Sequence, residues 1–302
     1  MTTDLSLLLR AAESATGHQQ HPAGTLYVVA TPIGNLADLT LRAIHILARV
    51  DAVACEDTRV AAQLLQHLGL RKPLLALHAH NEHEAAAGVL QRLALGERVA
   101  YASDAGTPAV SDPGAVLVAA VSAAGYRVVP LPGASSALAA LCAAGDTLGA
   151  GFVFNGFVPA KGGERREALA AWLADRRTQV LFEAPHRIAD LLQVLADGAP
   201  ERRVTVCREL TKQFETIVTH PAGGLPGWLA SDKNRERGEF VLVLHALPAA
   251  PHSTLPVAAL QTLRVLMREL PLKQAVALAS ELSGAPRNAL YEQALSERAA
   301  NG

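Results

Sequence analysis

The sequence predicts an α/β fold in two domains, a parallel-sheet N-terminal domain and a mixed-sheet second domain, with a small helical extension at the C-terminus. Three observations predict it. From Thr25 to Pro130, short apolar runs bounded by turn residues alternate with helical patterns, as buried parallel strands do in βαβ units. A second alternating stretch starts near Gly151, and its later strands follow one another too closely for crossover helices, which implies antiparallel members. A Pro-rich segment, Leu247-Pro248-Ala249-Ala250-Pro251, then sets apart a purely helical pattern from Val257 onward.

Taken in order, residues 1–23 carry one short Leu-rich patch at Leu5 to Leu9 with no basic flank before it, so a loose tail is expected rather than a secretory signal. In the first domain, 24–145, strands are predicted at Leu26–Ala30, Ala52–Cys55, Leu74–Leu77, Val99–Ala102 and Val128–Pro130. Helices are predicted at Leu39–Ala48, Val60–Leu68, Glu82–Leu95 and Ala115–Ala124. The Gly-rich break from Ala143 to Gly151 marks the boundary to a second domain, 146–247. Its strands are predicted at Phe152–Phe154, Val180–Phe182, Val204–Cys207, Thr216–Val218 and Phe240–His245, with helices at Arg165–Ala174 and Ile188–Leu195. Residues 256–302 form the helical extension.

Composition narrows the function. Half of the 302 residues are hydrophobic and only 4% aromatic, so Ala, Leu and Val must build the core. The net charge of −1 gives no global positive field, and nucleic-acid contact would need local basic patches. Cys55, Cys142 and Cys207 form no C-x-x-C pair, which argues against a disulfide framework or a zinc site and fits a reducing cytoplasm. His78, His80 and His83 lack accompanying ligands, so no metal is expected. No apolar run is long enough to span a bilayer.

The loop Ala102-Ser103-Asp104-Ala105-Gly106-Thr107-Pro108-Ala109-Val110-Ser111-Asp112-Pro113-Gly114 lies between a strand and a helix, where open α/β sheets build ligand sites. It has neither G-x-x-x-x-G-K-[ST] nor G-x-G-x-x-G, so it reads as a loop for a ligand held by backbone groups, or as a long surface connection. Four more turns follow predicted strands: Thr31-Pro32-Ile33-Gly34-Asn35, Leu131-Pro132-Gly133-Ala134-Ser135-Ser136, Phe182-Glu183-Ala184-Pro185-His186-Arg187 and Cys207-Arg208-Glu209-Leu210-Thr211-Lys212. Together the five turns are expected to converge on an interdomain cleft.

These segments, with Cys55-Glu56-Asp57-Thr58-Arg59, His80-Asn81-Glu82 and Gly238-Glu239-Phe240-Val241, resemble the tetrapyrrole methylase superfamily of S-adenosylmethionine-dependent methyltransferases. The resemblance runs from about Thr25 to His245 and implies a two-domain tetrapyrrole-methylase-like fold. Thr31-Pro32-Ile33-Gly34-Asn35 stands where porphyrin methylases carry a G-x-G-P-G-D-P-type turn, and Ala105-Gly106-Thr107-Pro108 where they carry G-G-D-P. With Cys55 to Arg59, those departures place the chain nearer the superfamily's ribosomal RNA branch. The resemblance then implies 2′-O-methylation of the ribose of a decoding-centre cytidine in 16S rRNA, on the small ribosomal subunit, by a cytoplasmic homodimer. A porphyrin or corrinoid methylase is the alternative, and a non-catalytic ribosome-binding module a more distant one.

The resemblance also implies site residues. Asp104, Ala105, Gly106, Thr107, Pro108 and Val110 are placed on the cofactor, as are Ser135, Ser136, Glu183 and Leu210, with Pro32 and Gly34 from the first loop. A ribose hydroxyl is a very weak acid, so a base or a cation favouring the alkoxide would help an in-line displacement at the methyl carbon. Candidates are Lys212, Arg208, Glu183, Glu56, Asp57, Arg59, His80 and Asn81; Glu56, Asp57 and Arg59 read equally as an ion-pair network or helix cap. Lys161, Arg165 and Arg166, on a Gly-rich turn at a helix start, are candidates for RNA phosphate. Arg176-Arg177, Arg202-Arg203 and Lys233 to Arg237 read more simply as solvated surface cations. Leu272 to Tyr291 has a helix–turn–helix look, open to RNA docking or to packing in a dimer.

Overall fold

Strands form where the apolar runs lie. In the computed structural model, which describes residues 5–78, 80–248 and 255–300, β1 (Thr25–Val29), β2 (Ala52–Cys55), β3 (Leu74–Ala76), β4 (Val99–Ala102) and β5 (Arg127–Leu131) build one sheet. Its order is β3-β2-β4-β1-β5 and every pairing is parallel. β2 and β4 are buried at every position, which is why they read as unbroken apolar runs. Register aligns Val29 and Cys55 on either side of Ala102, so the loops leaving β1, β2 and β4 emerge together at the carboxyl edge.

Helices α1 (Leu5–Thr16), α2 (Leu41–Arg49) and α3 (Thr58–His67) pack on one face, and α4 (Glu82–Ala94) and α5 (Ala115–Ala123) on the other. Thr40 caps α2 by accepting from the Ala43 N–H, and Asp57 caps α3 by accepting from that of Arg59. The N-terminal region differs from the loose tail expected. Residues 5–16 are helical, Ala12 is fully buried against α2, and Leu8 and Leu9 pack on the same core. Glu13 of α1 reaches the buried His45 of α2 at 3.0 Å. The helical spacing of Leu5, Leu8, Leu9 and Ala12 carried that signal.

The second sheet contains β6 (Phe152–Phe157), β7 (Thr178–Glu183), β8 (Arg203–Arg208), β9 (Thr216–Pro221) and β10 (Phe240–Leu244), in the order β6-β7-β10-β8-β9. β6 pairs with β7 in parallel and all other pairings are antiparallel, so the sheet is mixed. Alternation sorts its side chains. Leu181, Val204, Val206, Leu242 and Leu244 face α7 (Gly162–Ala174), α8 (Ile188–Gly198) and α9 (Leu225–Ala230). Val180, Cys207, Val241 and Val243 face the small-residue stripe Ala137, Ala140 and Ala144 of α6 (Ser136–Ala144). Arg202 is not a solvated cation. It is buried, donating to the carbonyls of Trp172, Leu173, Arg177 and His245.

Residues 1–246 cluster as one unit and 247–302 as another. Within the second, α10 (Val257–Glu269), α11 (Leu272–Ser283) and α12 (Arg287–Ala300) enclose a small core of Leu263, Val276, Ala279, Leu290 and Ala294. Arg264 of α10 forms a forked pair with Glu297 of α12. Among the described residues no helix is long and apolar enough to cross a membrane.

Candidate active site between the two sheets

The loop after β4 is held by its neighbours at both ends. Thr31, just past β1, exchanges two backbone hydrogen bonds with Gly106, at 2.9 and 3.0 Å, and its hydroxyl donates to the Ser103 carbonyl. The Thr107 hydroxyl donates to the Ala134 carbonyl at 3.0 Å, tying the loop to the turn before α6. At the far end the buried Tyr101 hydroxyl donates to the Pro113 carbonyl, and Glu82 accepts from the Gly114 N–H at 2.5 Å. Gly106 has φ +84° and Gly114 φ +122°; a Cβ at Gly114 would run into the Tyr101 ring.

A cavity of about 320 Å³ opens between this loop, the start of α6 and the second sheet. Of the residues expected on the cofactor, Ala105, Gly106, Thr107, Val110, Ser135, Ser136, Glu183 and Leu210 line it. Pro32, Gly34, Asp104 and Pro108 do not. Asp104 instead accepts from the Asp57 N–H at 3.0 Å, and Gly34 backs on the Lys212 stem, where a Cβ would sit 2.5 Å from Cγ. Sequence reasoning missed Ser111, Asp112, Phe157, Phe182, Glu239 and Val241, which also line the cavity. Ser111 and Asp112 stand in the loop already singled out, and Glu239 in the segment from Gly238 to Val241; Phe157 gave no signal.

Glu183 lines the cavity, but its carboxylate turns away. It shares the strand face of Leu181, and its oxygens accept from Arg165 at 3.0 Å, from Arg187 at 2.6 Å and from the Ala184 N–H. With its side chain fully buried and so partnered, it fixes the Ala184-Pro185 wall and is not a free base. Arg165 is thereby corrected as an RNA ligand. It is 8% exposed and spends its guanidinium on Glu183, Asp190 and the Pro159 carbonyl. Lys161 and Arg166, on the same turn, are exposed.

Carboxylates gather on the other side. Burial and the neighbouring Asp112, Asp104 and Asp57 push the Glu56 carboxyl above its ordinary range, and burial does the same to Asp112. Asp57, gripped in a fork by Arg59, is pulled down to about 2. Arg59 therefore belongs to the ion-pair and capping reading. Asn81 bonds the Ala76 carbonyl and the His78 N–H, closing its own turn. His80 is exposed, 6.2 Å from the His78 ring, and no group of three or more potential metal ligands occurs among the described residues.

Lys212 bonds Glu209 at 3.0 Å and the cavity-lining Glu239 at 2.9 Å. Burial pulls its pKa down, but the two carboxylates outweigh burial and leave it above the ordinary value. It is an ammonium, able to stabilise an anion and not to accept a proton. Glu209 and Thr211 hold left-handed φ of +52° and +66°, so this rim is strained. Arg208 donates to the Arg237 and Phe214 carbonyls and serves to hold the turn.

Comparison with known proteins covers most of the chain. The family described as tetrapyrrole (corrin/porphyrin) methylases matches residues 25–226, and the RsmI C-terminal HTH domain matches residues 253–298. A Neisseria meningitidis serogroup A protein named ribosomal RNA small subunit methyltransferase I is 47% identical over 289 residues, covering 96% of this chain and 97% of the relative. The protein of the same name from Escherichia coli O157:H7 is 48% identical over 276 residues, covering 91% and 96%. Among solved structures, a uroporphyrin-III C-methyltransferase from Thermus thermophilus in complex with S-adenyl homocysteine superposes with a TM-score of 0.51 at 18% identity, over 72% of this chain and 96% of that one. With a cavity bounded by both sheets and a match over two-thirds of its length, the chain belongs to the tetrapyrrole (corrin/porphyrin) methylase family.

Proposed function

We propose that this protein transfers a methyl group from S-adenosylmethionine to the ribose 2′-hydroxyl of a decoding-centre cytidine in 16S rRNA, acting on the small ribosomal subunit. The observation that carries the reading is the cavity between the sheets in a chain that matches small-subunit rRNA methyltransferases along nearly its full length. The residues present fit the cofactor. Gly106 leaves room for close main-chain approach, and Ser135, Ser136 and Ala137 bring the start of α6 to the cavity, a suitable end for a carboxylate. Asp112 supplies negative charge suited to a cationic group. The cofactor supplies an electrophilic methyl whose leaving group is already good, so the chain's share is positioning.

Asp112, which lines the cavity, is the carboxylate best placed to take the hydroxyl proton, and the Lys212 ammonium, paired with the cavity-lining Glu239, the group best placed to favour the alkoxide. Lys161 and Arg166, exposed at the start of α7, offer charge to RNA phosphates. The reading includes a homodimer and a cytoplasmic location, supported by the family resemblance and by the buried free thiols of Cys55 and Cys207.

The test is ribose-methylation mapping of 16S rRNA by primer extension in a strain lacking this gene, then after incubating its small subunits with purified protein and cofactor. One 2′-O-methyl stop lost and restored is expected. An unchanged pattern overturns the reading.

A further inference from the structure

Strand β6 changes face partway along. It pairs with β7 so that Phe154 stands opposite Val180 and Phe157 opposite Phe182, but only Gly156 stands opposite Leu181. Asn155 is the extra residue, and Gly156 adopts φ +67°. Such a bulge bends the strand and re-aims the residues beyond it. In a regular strand, residues three apart lie on opposite faces. Here Phe154 and Phe157 lie on the same face, both edge-on to Phe182, with ring centroids 5.1 and 5.4 Å away.

That face is the cavity face. Phe157 and Phe182 both line the cavity, and an added Cβ at Gly156 would come within 4.0 Å of the Ser111 hydroxyl of the opposite loop. Phe182 is partly buried, whereas Phe157 is 59% exposed. A bulge is thus spent on turning a large apolar ring toward solvent at the cavity mouth. Phe182 meets the ring at an interplanar angle of 70°, a T-shaped contact that leaves Phe157 mostly exposed. Folding gains little from this, because the ring buries less than half of its surface.

We infer that Phe157 is the stacking platform for the base of the acceptor nucleotide. The inference rests on the RNA reading above. A ribose whose 2′-oxygen must reach the cavity carries its base to the mouth, and an unstacked base in RNA recognition is lodged on an aromatic side chain. The adenine of the cofactor is the other planar heterocycle at this site, but it belongs to the molecule enclosed in the cavity, and Phe157 stands at its open side.

The test compares Phe157→Leu and Phe157→Trp with the parent in two measurements. One is calorimetric binding of S-adenosylhomocysteine, and the other is steady-state methyl transfer to undermethylated small subunits. Phe157→Leu is expected to raise KM for the subunits on the order of ten- to a hundredfold, as loss of one base stack does, with S-adenosylhomocysteine affinity unchanged. Phe157→Trp is expected to restore KM. Equal KM for Phe157→Leu and the parent overturns the inference, as does a matching loss of S-adenosylhomocysteine affinity, which would assign the platform to adenine. If the parent transfers no methyl group to subunits, the RNA reading fails instead, and the two failures are distinguished. Gly156→Val, which opposes the left-handed bulge, is expected to reproduce the KM defect of Phe157→Leu with the Phe157 ring intact.

Discussion

Thr31 and Gly106 form a two-residue antiparallel bridge, each N–H donating to the other's carbonyl, although the strands they follow, β1 and β4, run parallel. The bridge fastens two strand-end loops into one wall and leaves Gly106 facing the cavity at a φ that favours glycine.

Gly106→Trp is expected to abolish binding of S-adenosylhomocysteine while the protein still folds. The left-handed position costs about 1–3 kcal/mol, which a two-sheet core can absorb. Calorimetric titration beside a melting curve checks this, and retained affinity means the cofactor lies elsewhere.

Glu56→Gln and Asp112→Asn are each expected to stabilise the protein at neutral pH. Their carboxyls titrate above the ordinary range in the folded state, so their protonated forms fit best. The stability they contribute is complete below the ordinary carboxyl pKa and is lost as pH rises through the raised value. The amides keep it at every pH, so their higher melting temperature at pH 7 should vanish near pH 4. Methyl transfer should fall in Asp112→Asn, whose side chain lines the cavity. The parent's affinity for the cationic cofactor should also weaken as acid neutralises Asp112.

Glu183→Ala leaves Arg165 and Arg187 without their shared partner and is expected to cost about 3–5 kcal/mol in denaturant unfolding. Arg165→Ala should likewise weaken the fold, and the salt dependence of RNA binding should not change. Lys161→Ala and Arg166→Ala should do the reverse, each lowering the log–log salt slope by about 1. A reduced slope for Arg165→Ala with unaltered stability contradicts its structural assignment.

Lys212→Met keeps the hydrophobic stem against Gly34 and removes the ammonium from Glu209 and Glu239. Single-turnover rates should fall by about a hundredfold to a thousandfold, while the rate–pH curve keeps its shape. Loss of an alkaline limb in the variant would make Lys212 a proton acceptor.

Strands, loops and the converging turns were legible because apolar runs and Gly/Pro punctuation are local signals. β2 and β4 span the residues that their composition predicts. What stayed hidden depends on which way a side chain turns. Arg165 and Arg166 look alike in sequence, yet one faces the β7 carboxylate and the other solvent. Glu183 was expected at the cofactor, and its neighbour Phe182 supplies the side chain on that face instead. α1 falls in the stretch expected as a loose tail on its short Leu-rich patch, and its stability comes from packing on α2.

Among the described residues β6 lies at the edge of its sheet, so the residue gained at Asn155 displaces no partner strand on its outer side. A one-residue change in length there exchanges the side chain offered to the cavity without shifting β7, β10, β8 or β9. The side chain presented to the cavity can therefore change by insertion and deletion at a margin, independently of the interior that keeps the protein folded.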